Sequence, residues 1–223
     1  MRPASAYRLR PQILARTRFF DDQVMAAISA GVNQIVICGA GYDDRALRFR
    51  TTGVRFFELD HPATQTDKAR RLRAIKSGTA GLTLAAADFR SGDVATVLSR
   101  CGHDGCRPSL FICEGLLVYL DEPTCAHLLA GLRARAARGT TLAVSLAVHR
   151  QGIRSDQVTA VANARRPGGR REPWRMILPL EGHLDLLARA GWQVERVIDA
   201  VSLDDGAVPG RTQLVTAVSG PGD

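Results

Sequence analysis

The chain predicts an α/β fold: a seven-stranded, mostly parallel sheet with helices on both faces and an antiparallel last strand. Three observations predict it. Apolar, β-rich runs alternate with helical patterns after residue 33, as in a series of βαβ units. The first run breaks at Gly39-Ala40-Gly41 and continues as a polar, helix-like stretch. An amphipathic helix and two further strands, joined by a short Asp/Gly/Pro-rich link, follow the βαβ series and bring the strand count to seven.

Each element has its own justification. Phe20, Val24 and Ile28 recur at four-residue spacing and predict a helix over 17–30 whose apolar stripe lies over the first strand, with Arg16 just before it. Strands are expected at 34–38, 54–59, 82–87, 109–113 and 140–147, and helices at 43–50, 62–76, 93–100 and 122–137 fall between them. "EGHLDLLARAG" predicts the amphipathic helix, and "WQVERVID" and "RTQLVTAV" the two final strands. With 223 residues and no shift of composition, one domain is expected over 1–223. Within it, 1–32 forms an N-terminal helical cap and 149–180 an insertion that serves as substrate site or lid.

Composition narrows the function classes. The net charge of +8 and pI near 9.9 permit an acidic partner such as RNA, yet 28 of the 30 basic residues are Arg and they are spread over nearly every segment. Such a spread looks like codon bias and argues against a built nucleic-acid patch. Only "ARRPGGRREPWR", residues 164–175, concentrates charge, and its Pro and Gly suit a loop over a site. Five scattered cysteines fit reduced thiols better than a disulfide framework. Cys101, His103 and Cys106 of "CGHDGC" are near enough to share a metal, but no second Cys or His pair completes a zinc set, so no metal is expected and a loop between helix and strand is preferred. Apolar stretches are too short to span a bilayer and "MRPASAYRLRPQ" lacks a signal-peptide core, so a soluble, cytoplasmic chain without membrane contact is expected. Oligomeric state is not legible.

The glycine turn discriminates between ligands. A dinucleotide fingerprint needs a third Gly where this chain has Asp44, and a pyrophosphate would meet the Asp43 and Asp44 carboxylates. A ligand with a ribose and an ammonium group but no phosphate suits the turn better, and S-adenosyl-L-methionine is such a ligand. In an open α/β sheet it would bind outside the carboxyl ends of the strands. Asp60, in "FFELDHP", follows Gly41 by 19 positions, near the spacing for a carboxylate on ribose hydroxyls, with Glu58 as its competitor. Asp88 could accept from an adenine amino group while Phe89 packs on the ring, or Asp88 could cap a turn. Glu114, inside the apolar run "LFICEGLLVYL", needs a cation beside it: the ligand's ammonium or a protein Arg.

"ARTRFFDDQV", "QIVICGAGYDDRALRF", "FFELDHPATQTDK", "AADFRSGD", "FICEGLLVYLDE" and "LARAGW" together resemble the leucine carboxyl methyltransferase family, including its bacterial small-molecule and polyketide O-methyltransferase branch. The resemblance covers most of the chain in the right order. It implies the Rossmann-like sheet of class I methyltransferases and S-adenosyl-L-methionine-dependent methylation, with S-adenosyl-L-homocysteine as product. It also implies that Arg16 binds the cofactor carboxylate and that Gly39, Ala40 and Gly41 line the methionine portion. Asp60, with His61 beside it, would hold the ribose, Asp88 and Phe89 the adenine, and Glu114 with Gly115 the methionine end. Two departures stand out. Asp44 replaces the usual Thr of the turn, which removes any hydroxyl contact from that position, and 149–180 does not match the substrate region of the protein-methylating members. "REPWRMILP" is closer to the small-molecule branch.

The expected activity is O-methylation of a carboxylate or phenolic hydroxyl of a small molecule, a secondary metabolite. An ionised carboxylate needs no general base, whereas a phenol of pKa about 10 would benefit from one. His61, Tyr119, His149 and His183 are the candidate bases. Tyr119, Arg171 and Trp174 are the candidate substrate contacts, and an Arg of 165–175 could clamp a substrate carboxylate. RNA-modification methylation and cofactor binding without methyl transfer are the competing readings.

Overall fold

The computed structural model describes residues 10–74, 78–149, 154–164, 173–200 and 211–220. Its elements run α1 (Arg10–Ser29), β1 (Gln34–Cys38), α2 (Arg45–Arg48), β2 (Arg55–Asp60), α3 (Pro62–Ala74), β3 (Leu82–Ala86), α4 (Val94–Arg100), β4 (Leu110–Cys113), a 3-10 turn (Leu117–Tyr119), α5 (Glu122–Arg133), β5 (Thr141–Val148), α6 (Ser155–Ala164), α7 (Leu180–Arg189), β6 (Trp192–Ala200) and β7 (Arg211–Ser219). The strands form one sheet in the order β3-β2-β1-β4-β5-β7-β6. The first five are parallel, and β7 is antiparallel to both β5 and β6. The expected sheet and its antiparallel last strand are thus present.

Period-2 alternation divides the central strands between two cores. Val36 and Cys38 of β1, Phe57 and Leu59 of β2, and Phe111 and Cys113 of β4 face Leu98 of α4, Leu128, Leu129 and Leu132 of α5, and Leu186 and Leu187 of α7. Trp192 closes that layer: its ring meets Phe111 edge-on, and its indole N–H donates to the Leu129 carbonyl at 3.0 Å. Ile35, Ile37, Phe56, Leu110 and Ile112 face the other way, against Phe19, Phe20 and Val24 of α1.

Two expectations need correction, the start of α1 and the extent of the helix after the glycine turn. Helix α1 begins at Arg10, so Arg16 lies inside it and not before it; no residue between Arg10 and Phe20 breaks a helix once Pro11 occupies the first turn. As expected, the α1 stripe of Phe20, Val24 and Ile28 shares a core with Ile35 and Ile37 of β1, and the helix also lies against β4, β5 and β6. The helix expected at 43–50 shrinks to the single turn Arg45–Arg48, because Asp43 and Asp44 are spent on side-chain pairs with arginines. Among the described residues of 149–180 are a helix, α6, and a parallel bridge from Leu178 to Val148 at the end of β5.

"CGHDGC" is the loop between α4 and β4, at the amino end of the strands. His103 lies between Phe57 and Phe111, and its Nε2 is 2.9 Å from Ser109 Oγ. Gln34 and Asp104 exchange hydrogen bonds of 2.9 and 2.8 Å across the loop. Burial pushes His103 down to about 4, so the ring is neutral and structural. No helix among the described residues is long and apolar enough to cross a membrane.

Candidate functional site

Strand order reverses between β1 and β4, so the carboxyl ends of these two strands open side by side, where an α/β sheet takes its ligand. β1 ends in the turn Gly39-Ala40-Gly41. The Gly39 and Ala40 amides donate to the Leu59 carbonyl at 2.8 and 3.1 Å, which ties the turn to β2. Both glycines have positive φ, 67° at Gly39 and 47° at Gly41, but they serve different ends. A Cβ on Gly39 would stand 2.9 Å from Leu116 Cδ1, so that glycine lets the loop after β4 close in. A Cβ on Gly41 would meet nothing within 4 Å. Beside the turn lies a cleft of about 420 Å³ lined by Arg16, Gly39, Ala40, Asp43, Arg45 and Glu114. Ala40 turns its methyl into the core beneath.

Asp60 caps the arrangement from the end of β2. Its Oδ2 accepts from the Gly41 N–H at 2.6 Å and its Oδ1 from the His61 N–H at 2.7 Å, which fixes the carboxylate at the lip of the turn with lone pairs to spare. Its competitor is eliminated: Glu58 is fully buried and faces Lys68 of α3, 2.5 Å away. Desolvation outweighs that ammonium and pushes Glu58 up to about 7.

Glu114 has its cation, and it is a protein one. Arg16 Nε donates to Oε1 at 2.7 Å, and Arg45 Nη1 lies 2.8 Å from Oε2. Arg45 was not singled out in the sequence, yet it is the buried centre of the site. It also holds Asp21 at 2.7 Å and the Asp43 carboxylate, and its guanidinium stands 5.7 Å over the Phe20 ring. Burial opposes its charge, but Asp43, Glu114 and Asp21 more than compensate and hold it protonated. Burial would likewise raise Asp21; hydrogen bonds from Arg48 and Arg45 pull it below the usual carboxylate range instead. Asp44, in the place of the family's Thr, pairs with Arg48 at 2.7 Å on the surface. The helix α1, the glycine turn and the end of β4 are therefore stitched by one ionic network.

The remaining expected residues divide into groups. Asp88 accepts from the Arg90 amide at 3.0 Å and shapes the turn after β3, the capping alternative, while Phe89 packs on the α4–α5 core. Gly115, at φ 62°, donates to Ser145 Oγ at 2.7 Å and leaves Arg16 Nη1 3.7 Å from where a Cβ would be. His61 is exposed, and its Nδ1 accepts from the Ala63 amide at the start of α3. His149, at the end of β5, has Nε2 2.9 Å from Ser155 Oγ. His183 is buried, donates from Nε2 to the Ala147 carbonyl, and is held below its ordinary value by desolvation. Trp174 packs with Val118, Ala147, Val158 and Ile177, and the Arg175 and Met176 amides donate to the Val118 carbonyl at 2.7 and 3.2 Å. Trp174 thus lies beside Ala147 near the end of β5, and Tyr119 closes the 3-10 turn after β4, its N–H donating to the Leu116 carbonyl at 3.0 Å. Arg171 and most of the basic stretch lie outside the described residues.

The sequence reading missed Arg45, Asp21 and Lys68. The one signal for Lys68 is its rarity: the chain has two lysines among 30 basic residues.

Comparison with known proteins follows the same lines. The family model of leucine carboxyl methyltransferase matches residues 2–133. A candidate S-adenosyl-L-methionine-dependent methyltransferase of Streptomyces avermitilis is 34% identical over 184 residues, covering 82% of this chain and 62% of that protein. The chain thus spans less than two thirds of the length of that relative. Among solved structures, human N-acetylserotonin methyltransferase in complex with S-adenosylmethionine is similar with a TM-score of 0.56 at 14% identity, over 85% of this chain and 48% of that one. Magnesium protoporphyrin IX methyltransferase from Synechocystis, with bound S-adenosylhomocysteine, has a TM-score of 0.59 at 13% identity, over 94% and 85%. At these identities the likeness to the solved structures is one of fold.

Proposed function

This chain belongs to the leucine carboxyl methyltransferase family, and from that premise we propose that it binds S-adenosyl-L-methionine over the Gly39–Gly41 turn and methylates an oxygen of a small molecule. The observation that carries the reading is the Arg16–Glu114 ion pair in the cleft beside Gly39 and Ala40, with Asp60 fixed at the lip of the same turn. An amino-acid zwitterion offers a carboxylate to Arg16 and an ammonium to Glu114, so each keeps a partner when their mutual 2.7 Å contact is given up. Arg16 is 36% exposed on its side chain and free to turn, whereas Glu114 stays anchored by Arg45. Asp60 accepts from the ribose hydroxyls while Gly41 keeps it oriented. When bound, the cofactor supplies a sulfonium methyl, an electrophile that any well-placed nucleophilic oxygen can take.

The chain's own contribution is then positioning and exclusion of water. Helix α6 and residues 173–178 pack on Val118 of the 3-10 turn and on the end of β5, and there Tyr119 and Trp174 would face the acceptor, with Arg171 as a further contact. A carboxylate acceptor is favoured over a phenol. His61 is engaged at the start of α3 and His183 is buried and neutral, so neither is poised as a base, and an already ionised acceptor needs none.

Calorimetry is the test. S-adenosylhomocysteine should bind and NAD should not, and Asp60→Asn and Arg16→Met should each weaken binding about tenfold to a hundredfold, the value of a charge-assisted hydrogen bond at roughly 1.5–3 kcal/mol. With methyl-labelled cofactor and fractionated metabolites, label released as methanol by mild alkali identifies an ester. Alkali-stable label would transfer the reading to an ether, and NAD binding with no binding of either methyl-cycle ligand would remove it altogether.

A further inference from the structure

Lys68 occupies a place that the cofactor reading does not use. Its side chain is 7% exposed, and its ammonium reaches two groups from different elements: the Glu58 carboxylate of β2 at 2.5 Å and the backbone carbonyl of Asp43, in the glycine turn, at 2.7 Å. Gln65, one turn earlier on α3, donates to the Glu58 carbonyl at 2.7 Å. Asp43 is therefore clamped twice, by Lys68 on its carbonyl and by Arg45 on its carboxylate. The turn that carries Gly41 and the strand that carries Asp60, tied already by amide hydrogen bonds, are joined a second time through a buried ammonium that reaches Asp43, just past the glycines.

The residue type matters as much as its place. Where 28 of 30 basic residues are Arg, a Lys in a pocket this closed is a choice of shape. A compact ammonium with three rotatable donors can serve a carboxylate and a carbonyl at right angles, whereas a planar guanidinium is larger and fork-shaped. A salt bridge for stability alone would be a poor reason to bury these two charges, since burial costs about what the pair returns.

We propose that Lys68 is a positioning residue for cofactor binding, which holds the glycine turn against β2 so that Gly41 and Asp60 meet the cofactor as one preformed unit. The inference rests on the cofactor reading above. It differs from a structural role in what survives when the charge imbalance is repaired.

The test compares the parent with Lys68→Met and with the double variant Lys68→Met/Glu58→Gln, by thermal melting and by calorimetric titration with S-adenosylhomocysteine. Lys68→Met leaves Glu58 buried without its partner and should melt well below the parent. The double variant removes that stranded charge and should regain most of the melting temperature, yet still bind at least tenfold more weakly, because nothing holds the Asp43 carbonyl. Recovery of both melting and affinity would overturn the proposal and leave Lys68 as packing. A parent that fails to bind S-adenosylhomocysteine at all would instead overturn the cofactor reading, and the proposal with it. Should the double variant not fold, hydrogen exchange on the parent decides the matter: peptides 39–48 and 62–74 should gain protection together on ligand addition. Protection of the turn with α3 unchanged would refute the coupling.

Discussion

Replacing Arg45 by Met would remove the centre of the ionic network while keeping the aliphatic bulk. Three carboxylates lose a partner, but unequally. Asp21 retains two hydrogen bonds from Arg48, and Glu114 retains Arg16. Asp43 retains only the Arg45 backbone N–H on its other oxygen. Breaking a buried ion pair from one side costs roughly 3–5 kcal/mol, and the remaining partners place this case at the lower end, about 3 kcal/mol. For a chain of this size, about 2–4 °C per kcal/mol predicts a fall in Tm of about 6–12 °C. Urea unfolding of Arg45→Met, Glu114→Gln and the double variant supplies the decisive number. If Arg45 is stabilised by Glu114 across the turn, the two losses should fall short of additivity by at least about 1 kcal/mol, beyond the roughly 0.5 kcal/mol scatter expected of independent sites. Additive losses would show that the 2.8 Å contact carries no energy and that the glycine turn and the end of β4 are not coupled through it.

Two further outcomes follow from the same groups. His103 is pushed down to about 4 and Glu58 up to about 7. The depressed His103 stabilises the fold above its unfolded value of about 6.5 and loses that stabilisation as the pH falls towards 4. The raised Glu58, faced by Lys68, Asp43 and Asp60, works in the opposite sense, adding stability as the pH falls from 7 towards 4.5. Each offset is worth about 3 kcal/mol, so stability should be nearly level between about pH 4.5 and 6.5 in the parent and slope downwards with acid in Glu58→Gln; a level profile in that variant would contradict the assignment. Gly39→Ala and Gly41→Ala share a left-handed strain of about 1–2 kcal/mol, but only the first also strikes Leu116. Gly39→Ala should therefore unfold at lower urea, while Gly41→Ala, whose methyl meets no protein atom and stands on the turn proposed to carry the cofactor, should lose more affinity for S-adenosylhomocysteine; the reverse order in either assay would show the two roles exchanged.

The legibility of this chain varied with the range of the interaction. Period-2 runs such as Gln34–Cys38 were bounded correctly because both faces of a central strand are buried and the apolar run ends where the sheet does. The Asp60 position was legible because topology fixes the distance from the first turn to the next strand end. Helix α1 was cut short at its start because Ile13 and Leu14, both exposed, do not continue the buried stripe of Phe20, Val24 and Ile28 from which the helix was read. Arg45 and Lys68 were hidden for a related reason. Among 28 arginines no single one draws notice, and a buried cation is defined by carboxylates 24 and 69 positions away, Asp21 and Glu114, which only the fold brings together. Glu114 illustrates the middle case: its need for a cation was evident, but that Arg16 and Arg45 both meet it is visible only in the tertiary geometry.

The five thiols fall on opposite sides of the chemistry that labels them. Cys38, Cys113 and Cys125 are enclosed beneath the glycine turn and the end of β4, and the Cys113 and Cys125 thiols are pushed well up, which keeps both unreactive. Cys106 is exposed on the α4–β4 loop, at the far end of the strands from the cleft. A maleimide dye should therefore attach at Cys106 first and leave the cleft untouched. Such a chain would carry its own fluorescent handle, and its rotational diffusion or its approach to a surface could be followed while ligands come and go at the other pole.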